Sequence, residues 1–214
     1  MKDLYIIGAG DFGRETAWLV ERINQKNATW NFKGFIDDNL STQGTFVDGY
    51  PVVGGCDSLC SLSTDVWVVC AIASGNIKKK LIDKVSRFPN VKFATLVDPN
   101  VTMGPHVKIG EGCIICAGSI FTINIKIGNH VIVNLSCTVG HDTVLDDYVT
   151  LHPGVNASGK VHICPGCVVG TGSKIIQGLT IGEYCILGAG AVVTKDMPSN
   201  HLIVGVPAKP IREI

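Results

Sequence analysis

The 214-residue chain carries 18 basic and 18 acidic side chains, so no net charge draws it to nucleic acid or to an anionic membrane surface. It is 46% apolar, enough for a sizeable core, yet no apolar run approaches the ~20 residues of a membrane-spanning helix. Nine cysteines, among them the CxxC of Cys113 and Cys116 with no second pair at zinc-finger spacing after it, read as reduced, mostly buried thiols of a cytoplasmic protein.

In chain order, the N-terminal stretch alternates strands with helices. "DLYIIGAG" reads as a buried strand, too short and too soon broken by glycine to be a signal peptide. "FGRETAWLVERINQ" has helical periodicity, "WNFKGFIDD" and "TDVWVVCAIAS" are strands, "GNIKKKLIDKVSRF" is a second helix, and "VKFATLV" closes the series. This alternation predicts a short doubly wound parallel sheet over residues 1–96. The run Lys78–Lys80 is expected on a solvated helix face rather than in a phosphate-binding patch.

"GAGDFGRE" is GxGxxG between a strand and a helix, and places Gly8, Gly10, Asp11 and Gly13 where backbone amides at a helix N-terminus cradle phosphate. Asp37 and Asp38 end the second strand, 24 and 25 residues after Gly13, close to where a dinucleotide site keeps its ribose-binding acid. Three readings remain open: an NAD site, a site for another nucleotide, and a glycine turn that only packs helix on strand.

From Val97 the grammar changes. Seventeen hexads run to Pro198 without insertion, and the first position of every one is apolar. At this composition chance gives that pattern with a probability of roughly 10⁻⁵, even after choosing the best of six frames. The fifth position is always small or apolar and includes Cys113, Cys137, Cys167 and Cys185. No helix sustains a period of six, whereas short strands joined by fixed turns do. Residues 97–214 are therefore expected to form a β-helix of hexapeptide repeats with first and fifth positions inward.

His141 and Asp142 are the third and fourth residues of their hexad and should point outward or lie at a corner. An adjacent acid that holds and polarises an imidazole is what a general base requires. The hexad pattern resembles that of the hexapeptide-repeat transferases, which implies three hexads, or 18 residues, per coil; the residue above His141 is then Gly159, whose unobstructed N–H suits an oxyanion donor.

"VGHDTVLDDYVTLHPGVNASGKVHI" and "GTGSKIIQGLTIGEYCILGAGAVVTKDMPSNHLIVGVPAKPIREI", with "IIGAGDFGRE", "GFIDDN" and "YPVVGG" before them, resemble the NeuD/PglD-type sugar acyltransferases of the hexapeptide-repeat superfamily. The resemblance spans essentially the whole chain. It implies a Rossmann-like half domain for a nucleotide sugar, followed by a left-handed β-helix with three hexads per coil. It also implies acetyl-CoA as co-substrate, and a homotrimer with active sites between subunits. His141 becomes the general base, Asp142 its orienting acid and Gly159 the oxyanion donor. Gly172, Ile175 and Gly190 would follow the coenzyme, with Val206, Pro207 and Ala208 near its adenine. Gly8, Gly10, Asp11, Gly13, Asp37 and Asp38 would hold the nucleotide sugar, and His152 either lines the acceptor pocket or is a surface residue.

The activity this implies is N-acetylation of a nucleotide-linked 4-amino-4,6-dideoxysugar for surface-glycan biosynthesis. O-acetylation of sialic acid or another sugar is the alternative, and a non-catalytic nucleotide-binding scaffold stands as a reading of a different class. No metal is expected. His141, His152 and His162 are spaced 11 and 10 apart and lack the HxxxxH pair of the hexapeptide-repeat carbonic anhydrases.

Overall fold

The computed structural model describes residues 1–62 and 64–214. Its N-terminal sheet contains β1 (Lys2–Ile7), β2 (Trp30–Ile36), β3 (Phe46–Val47), β4 (Tyr50–Gly54), β5 (Val66–Cys70) and β6 (Val91–Phe93) in the order β3-β4-β2-β1-β5-β6. All neighbours are parallel except the β3–β4 hairpin. Helix α1 (Asp11–Lys26) leads from β1 to β2, and α2 (Gly75–Val85) leads from β5 to β6. Strand order reverses between β1 and β5, so a crevice opens beyond their carboxyl ends, where open α/β sheets bind ligands.

The β3–β4 hairpin and the 3-10 helix Cys56–Ser61 are additions to the elements expected from the sequence. "VKFATLV" also divides: Val91–Phe93 completes the N-terminal sheet, while Leu96–Val97 pairs with Ile114–Ile115 as the first rung of the solenoid.

The remainder is a left-handed parallel β-helix whose rungs pair residues 18 apart, as in Ile115↔Val133, Val139↔Ala157 and Leu145↔Ile163. First positions are buried in every hexad from Ile115 to Val193. Val97, Met103 and Ile109 are only partly covered, because no coil precedes them. Corners fall at the fourth hexad position. From His106 to Gly190 all fifteen fourth-position residues are left-handed, with φ between 53° and 77°. Eight of them are not glycine and adopt a conformation that costs an L-residue about 1 kcal/mol or more. Hydrogen bonds between coils hold them there: the Asp142 amide donates to the Ile123 carbonyl (3.1 Å), and that of Lys160 to His141 (2.7 Å). Two strands, His201–Val204 and Lys209–Glu213, finish the structure as an antiparallel pair on one solenoid sheet. No helix among the described residues is long and apolar enough to cross a membrane.

The α/β unit docks on the prism face that carries Ile114, Ile132 and Thr150. Arg22 reaches Asp98 with two hydrogen bonds of 2.6 and 3.1 Å, and the His130 ring sits between Phe93 and Tyr148. Lys78 corrects the expectation of a solvated face. It is fully buried in this junction and donates to Thr150 Oγ1 at 2.9 Å, while that hydroxyl donates to the Ala73 carbonyl. The helix turns Lys78 toward the solenoid and leaves Lys79 to pair with Asp83 on the outside.

Burial pushes the Lys78 ammonium down from 10.5 to about 7. Between those values the unfolded chain holds a proton that the folded chain has released, so stability rises with pH. The penalty is complete below about pH 7 and absent above the ordinary lysine value. Wild type is therefore expected to gain on Lys78→Met by up to about 3 kcal/mol between pH 7 and pH 9. Urea unfolding of both proteins at the two pH values measures this difference, and parallel stabilities would contradict it.

Candidate active site

The strand Thr138–Val139 ends at a corner where Gly140 and His141 precede the left-handed Asp142 (φ 59°). This turn carries the carboxylate back over the preceding side chain, and His141 Nδ1 lies 2.9 Å from Asp142 Oδ2. The second oxygen, Oδ1, accepts from Asn124 Nδ2 at 3.3 Å. Hydrogen bonds from His141 and then Asn124 hold the Asp142 carboxyl below the usual carboxylate range. An ionised carboxylate only accepts, so Nδ1 carries the hydrogen, and in the neutral imidazole Nε2 is the nitrogen with the lone pair. Both side chains are about half exposed, at 54% and 44%, so the free nitrogen is open to a ligand.

His141 Nε2 hangs over Gly159. A Cβ built there would fall 2.4 Å from it, and only glycine leaves room for the imidazole in this pose. The Gly159 carbonyl accepts from the Gly178 amide, while its own N–H has no acceptor among the described residues. One corner thus presents a lone-pair nitrogen beside a free backbone donor. That pairing suits proton abstraction next to a developing oxyanion.

The other sequence-predicted residues lie elsewhere. Gly8 and the Asp37–Asp38 pair line a cavity of about 220 Å³ beyond β1 and β2, together with Cys56 and Ile72. Asp37 Oδ2 accepts from the Ala9 amide in the glycine turn (2.9 Å) and Oδ1 from Asn39, so this residue also braces the loop. Asp38 Oδ1 accepts from the Cys56 amide at 2.7 Å. Gly10, at the N-cap of α1, is uncrowded. Gly13 is a packing glycine, since a Cβ there would meet the Gly8 carbonyl oxygen at 2.0 Å.

Asp11 and His152 share a second cavity of about 250 Å³, between α1 and the solenoid, with Glu15, Ala73, Asn134 and Thr150. Burial and then the Lys78 charge push His152, which lines this cavity, below the ordinary histidine value. Asn134 was missed from the sequence. It occupies an outward second hexad position and is buried only because α1 docks over it.

Gly172 and Gly190 stack with Gly154 at the corner that carries His152, and nothing lies within 4 Å of a Cβ built on either Gly172 or Gly190. Ile175 and Ala208 are each 1% exposed and belong to the solenoid core, so neither presents surface to a ligand within one chain. Val206 and Pro207 lie exposed in the turn between the last two strands.

Within one chain, therefore, the residues form two groups. His141, Asp142 and Gly159 occupy one corner of the prism. His152, Gly172 and Gly190 gather at the next, across the face carrying Thr138–Val139 and Asn156–Ala157, where Asp11 shares the His152 cavity; the cavity of Gly8, Asp37 and Asp38 is lined by residues of the α/β unit. His141, His152 and His162 do not converge, and His162 pairs instead with Asp146 at 2.7 Å.

Residues 3–85 match the PglD N-terminal domain, and residues 89–122 and 160–195 match the bacterial transferase hexapeptide repeats. GDP-perosamine N-acetyltransferase of Escherichia coli O157:H7 is 32% identical over 97% of this chain and 95% of its own length. Among solved structures, WeeI from Acinetobacter baumannii AYE superposes with a TM-score of 0.89 at 34% identity, covering 99% of this chain and all of its own. The acetyltransferase domain of PglB from Neisseria gonorrhoeae FA1090 in complex with acetyl coenzyme A gives 0.87 at 30% identity, covering 98% of this chain and 99% of its own. PerB from Caulobacter crescentus in complex with CoA and GDP-perosamine gives 0.86 at 28% identity, covering 99% and 98%.

Proposed function

The chain belongs to the PglD-type acetyltransferases of the hexapeptide-repeat family, and from that premise we propose that it moves the acetyl group of acetyl-CoA onto the amine of a nucleotide-linked amino sugar. The observation that carries the reading is the His141 nitrogen, freed by the Asp142 pairing and held above Gly159. The acceptor amine attacks the thioester carbonyl and forms the C–N bond. His141 Nε2 takes the amine proton, and Asp142 stabilises the resulting imidazolium. The Gly159 N–H donates to the tetrahedral oxyanion. Collapse breaks the C–S bond, and the imidazolium proton passes to the departing thiolate of coenzyme A. No serine or cysteine nucleophile takes part, because an amine held against the thioester gains enough from proximity.

Residues 1–96 hold the nucleotide sugar, with phosphate against the Gly8–Gly13 turn and base or ribose near Asp37 and Asp38. Residues 97–214 hold acetyl-CoA and carry out the transfer. The two groups of site residues are a prism face apart in one chain, so a neighbouring copy must bridge them. A homotrimer closed about a threefold axis does this. Ile120, Ile123 and Ile176, each 43–45% exposed on or beside that face, supply apolar surface for the contact. A fully active monomer in sedimentation analysis would contradict the trimer.

N-acetylation is preferred over O-acetylation because a relative that matches 97% of this chain is named an N-acetyltransferase. Its product would be an activated sugar for surface glycans. Coenzyme A release is to be measured with GDP-, UDP- and dTDP-linked 4-amino-4,6-dideoxysugars and with free sialic acid. Release with a nucleotide-linked amine and none with sialic acid is the expected result. The reverse would establish the O-acetyl reading, and no release with any acceptor would leave a scaffold.

A further inference from the structure

We infer that Asp146, His162 and Cys164 form a binding site for a borderline-soft divalent cation, Zn²⁺ above all, which clasps two successive coils of the solenoid. One carboxylate oxygen, one imidazole nitrogen and one thiol sulfur, a donor from each residue, lie within 4.8 Å of one another. It is the one such group of three among the described residues. Asp146 stands on one rung and His162 and Cys164 on the next, fixed by the Val144↔His162 and Leu145↔Ile163 pairings. Adjacent parallel strands run about 4.8 Å apart, so the donors stack without any loop having to close.

The column itself makes this placement unusual. Asp146 and Cys164 share the outward second hexad position with Gly110, Gly128 and Gly182. A Cβ at each of those glycines would fall within about 2.4 Å of a neighbouring atom (Asn129 Oδ1, Asp147 Oδ1 and the Ser199 amide, respectively). Where the column does accept side chains, both are metal donors. Cys164 also differs from the core cysteines: the thiols of Cys113, Cys137, Cys167 and Cys185 point at backbone carbonyls, whereas that of Cys164 faces Asp146 and His162.

The donor set fits the ion. Thiolate, imidazole and carboxylate in a four-coordinate arrangement are zinc ligands, and three of them leave one position for water or a fourth donor. Carboxylate and thiolate together cancel the two positive charges. Burial, with Asp146 and Glu183 behind it, raises the Cys164 thiol above its ordinary value, and a dication offsets that penalty. Tetrahedral bonds of about 2.0–2.3 Å set donors about 3.3–3.6 Å apart, so the 2.7 Å His162–Asp146 contact opens by roughly half an ångström on loading. All three side chains are partly exposed, which leaves an entry path.

Chelator-treated protein titrated with Co²⁺ tests this. One ion per chain is expected, with thiolate-to-cobalt charge-transfer absorption that is displaced by Zn²⁺. The band should vanish in Cys164→Ser and persist in Cys60→Ser and in His141→Ala. Asp146→Asn should weaken Co²⁺ binding at least as much as loss of an outer-shell partner does, about 10–100-fold. Absence of the band in wild type, or its survival in Cys164→Ser, overturns the assignment, and a band lost only in Cys60→Ser marks an adventitious surface thiol.

Discussion

Leu145→Asp is expected to cost several kcal/mol, enough to lower the melting midpoint by about 10–20 °C or to abolish folding. Leu145 is fully buried and stacks between Ile127 and Ile163 in a core one coil wide. The substitution removes an apolar side chain, usually worth about 2–5 kcal/mol, and puts an unpaired carboxylate where it meets no donor. A whole domain has only about 5–15 kcal/mol in hand, and a chain of this length loses roughly 2–4 °C per kcal/mol. The solenoid cannot relax around the charge, because each rung is hydrogen-bonded to the coils on both sides. Ile127→Asp should behave alike. Thr122→Ala and Lys126→Ala, at outward positions, should stay within about 0.5 kcal/mol of wild type. Differential scanning calorimetry of the four variants separates the two classes, and a Leu145→Asp protein that melts like the parent would refute the inward first position.

That frame was readable because period six is incompatible with a helix, and because one apolar residue per hexad recurs seventeen times. The fourth position was less visible. Its occupants include His, Asn, Ser, Asp, Tyr, Lys and Gly, a mixture with no hydropathy signal, and what unites them is the left-handed corner. That corner explains why the His141–Asp142 pair closes on itself, which adjacency alone did not establish. The candidate constellation was legible through the coil arithmetic, since Gly159 is 18 residues after His141. The same arithmetic sets Cys164 above Asp146, a pair of donor types that the spacing of the histidines among themselves does not reveal. Lys78 and Asn134 were illegible for another reason. Each is buried by docking of the α/β unit on the prism, and local sequence does not encode that contact. The β3–β4 hairpin was legible in its turn, since Asp48-Gly49 is a two-residue hairpin signal and both residues adopt positive φ (48° and 84°), but not in β3, which is too short to show strand-like alternation.

The second large effect concerns the site itself. His141→Ala and His141→Asn are each expected to lower kcat by ~10²–10⁴, the usual worth of a general base. Acetyl-CoA binding should change little, because the coenzyme's affinity resides in its pantetheine and adenine contacts. Asp142→Ala should be milder, since the base remains and only its orientation and charge stabilisation are lost. Gly159→Ala tests the geometry from the other side. The Gly159 backbone is not left-handed, so alanine is tolerated conformationally, yet its Cβ falls 2.4 Å from His141 Nε2 and must displace the ring. A displacement of that order costs about 10²-fold in turnover. The most direct test is kcat for His141→Asn at saturating acetyl-CoA and acceptor, with acetyl-CoA affinity and melting midpoint measured on the same preparation. Turnover is expected to fall at least a hundredfold with affinity and stability retained, which assigns the base to His141. Near-wild-type turnover in that variant would contradict it and reduce the His141–Asp142 pair to a corner of the solenoid.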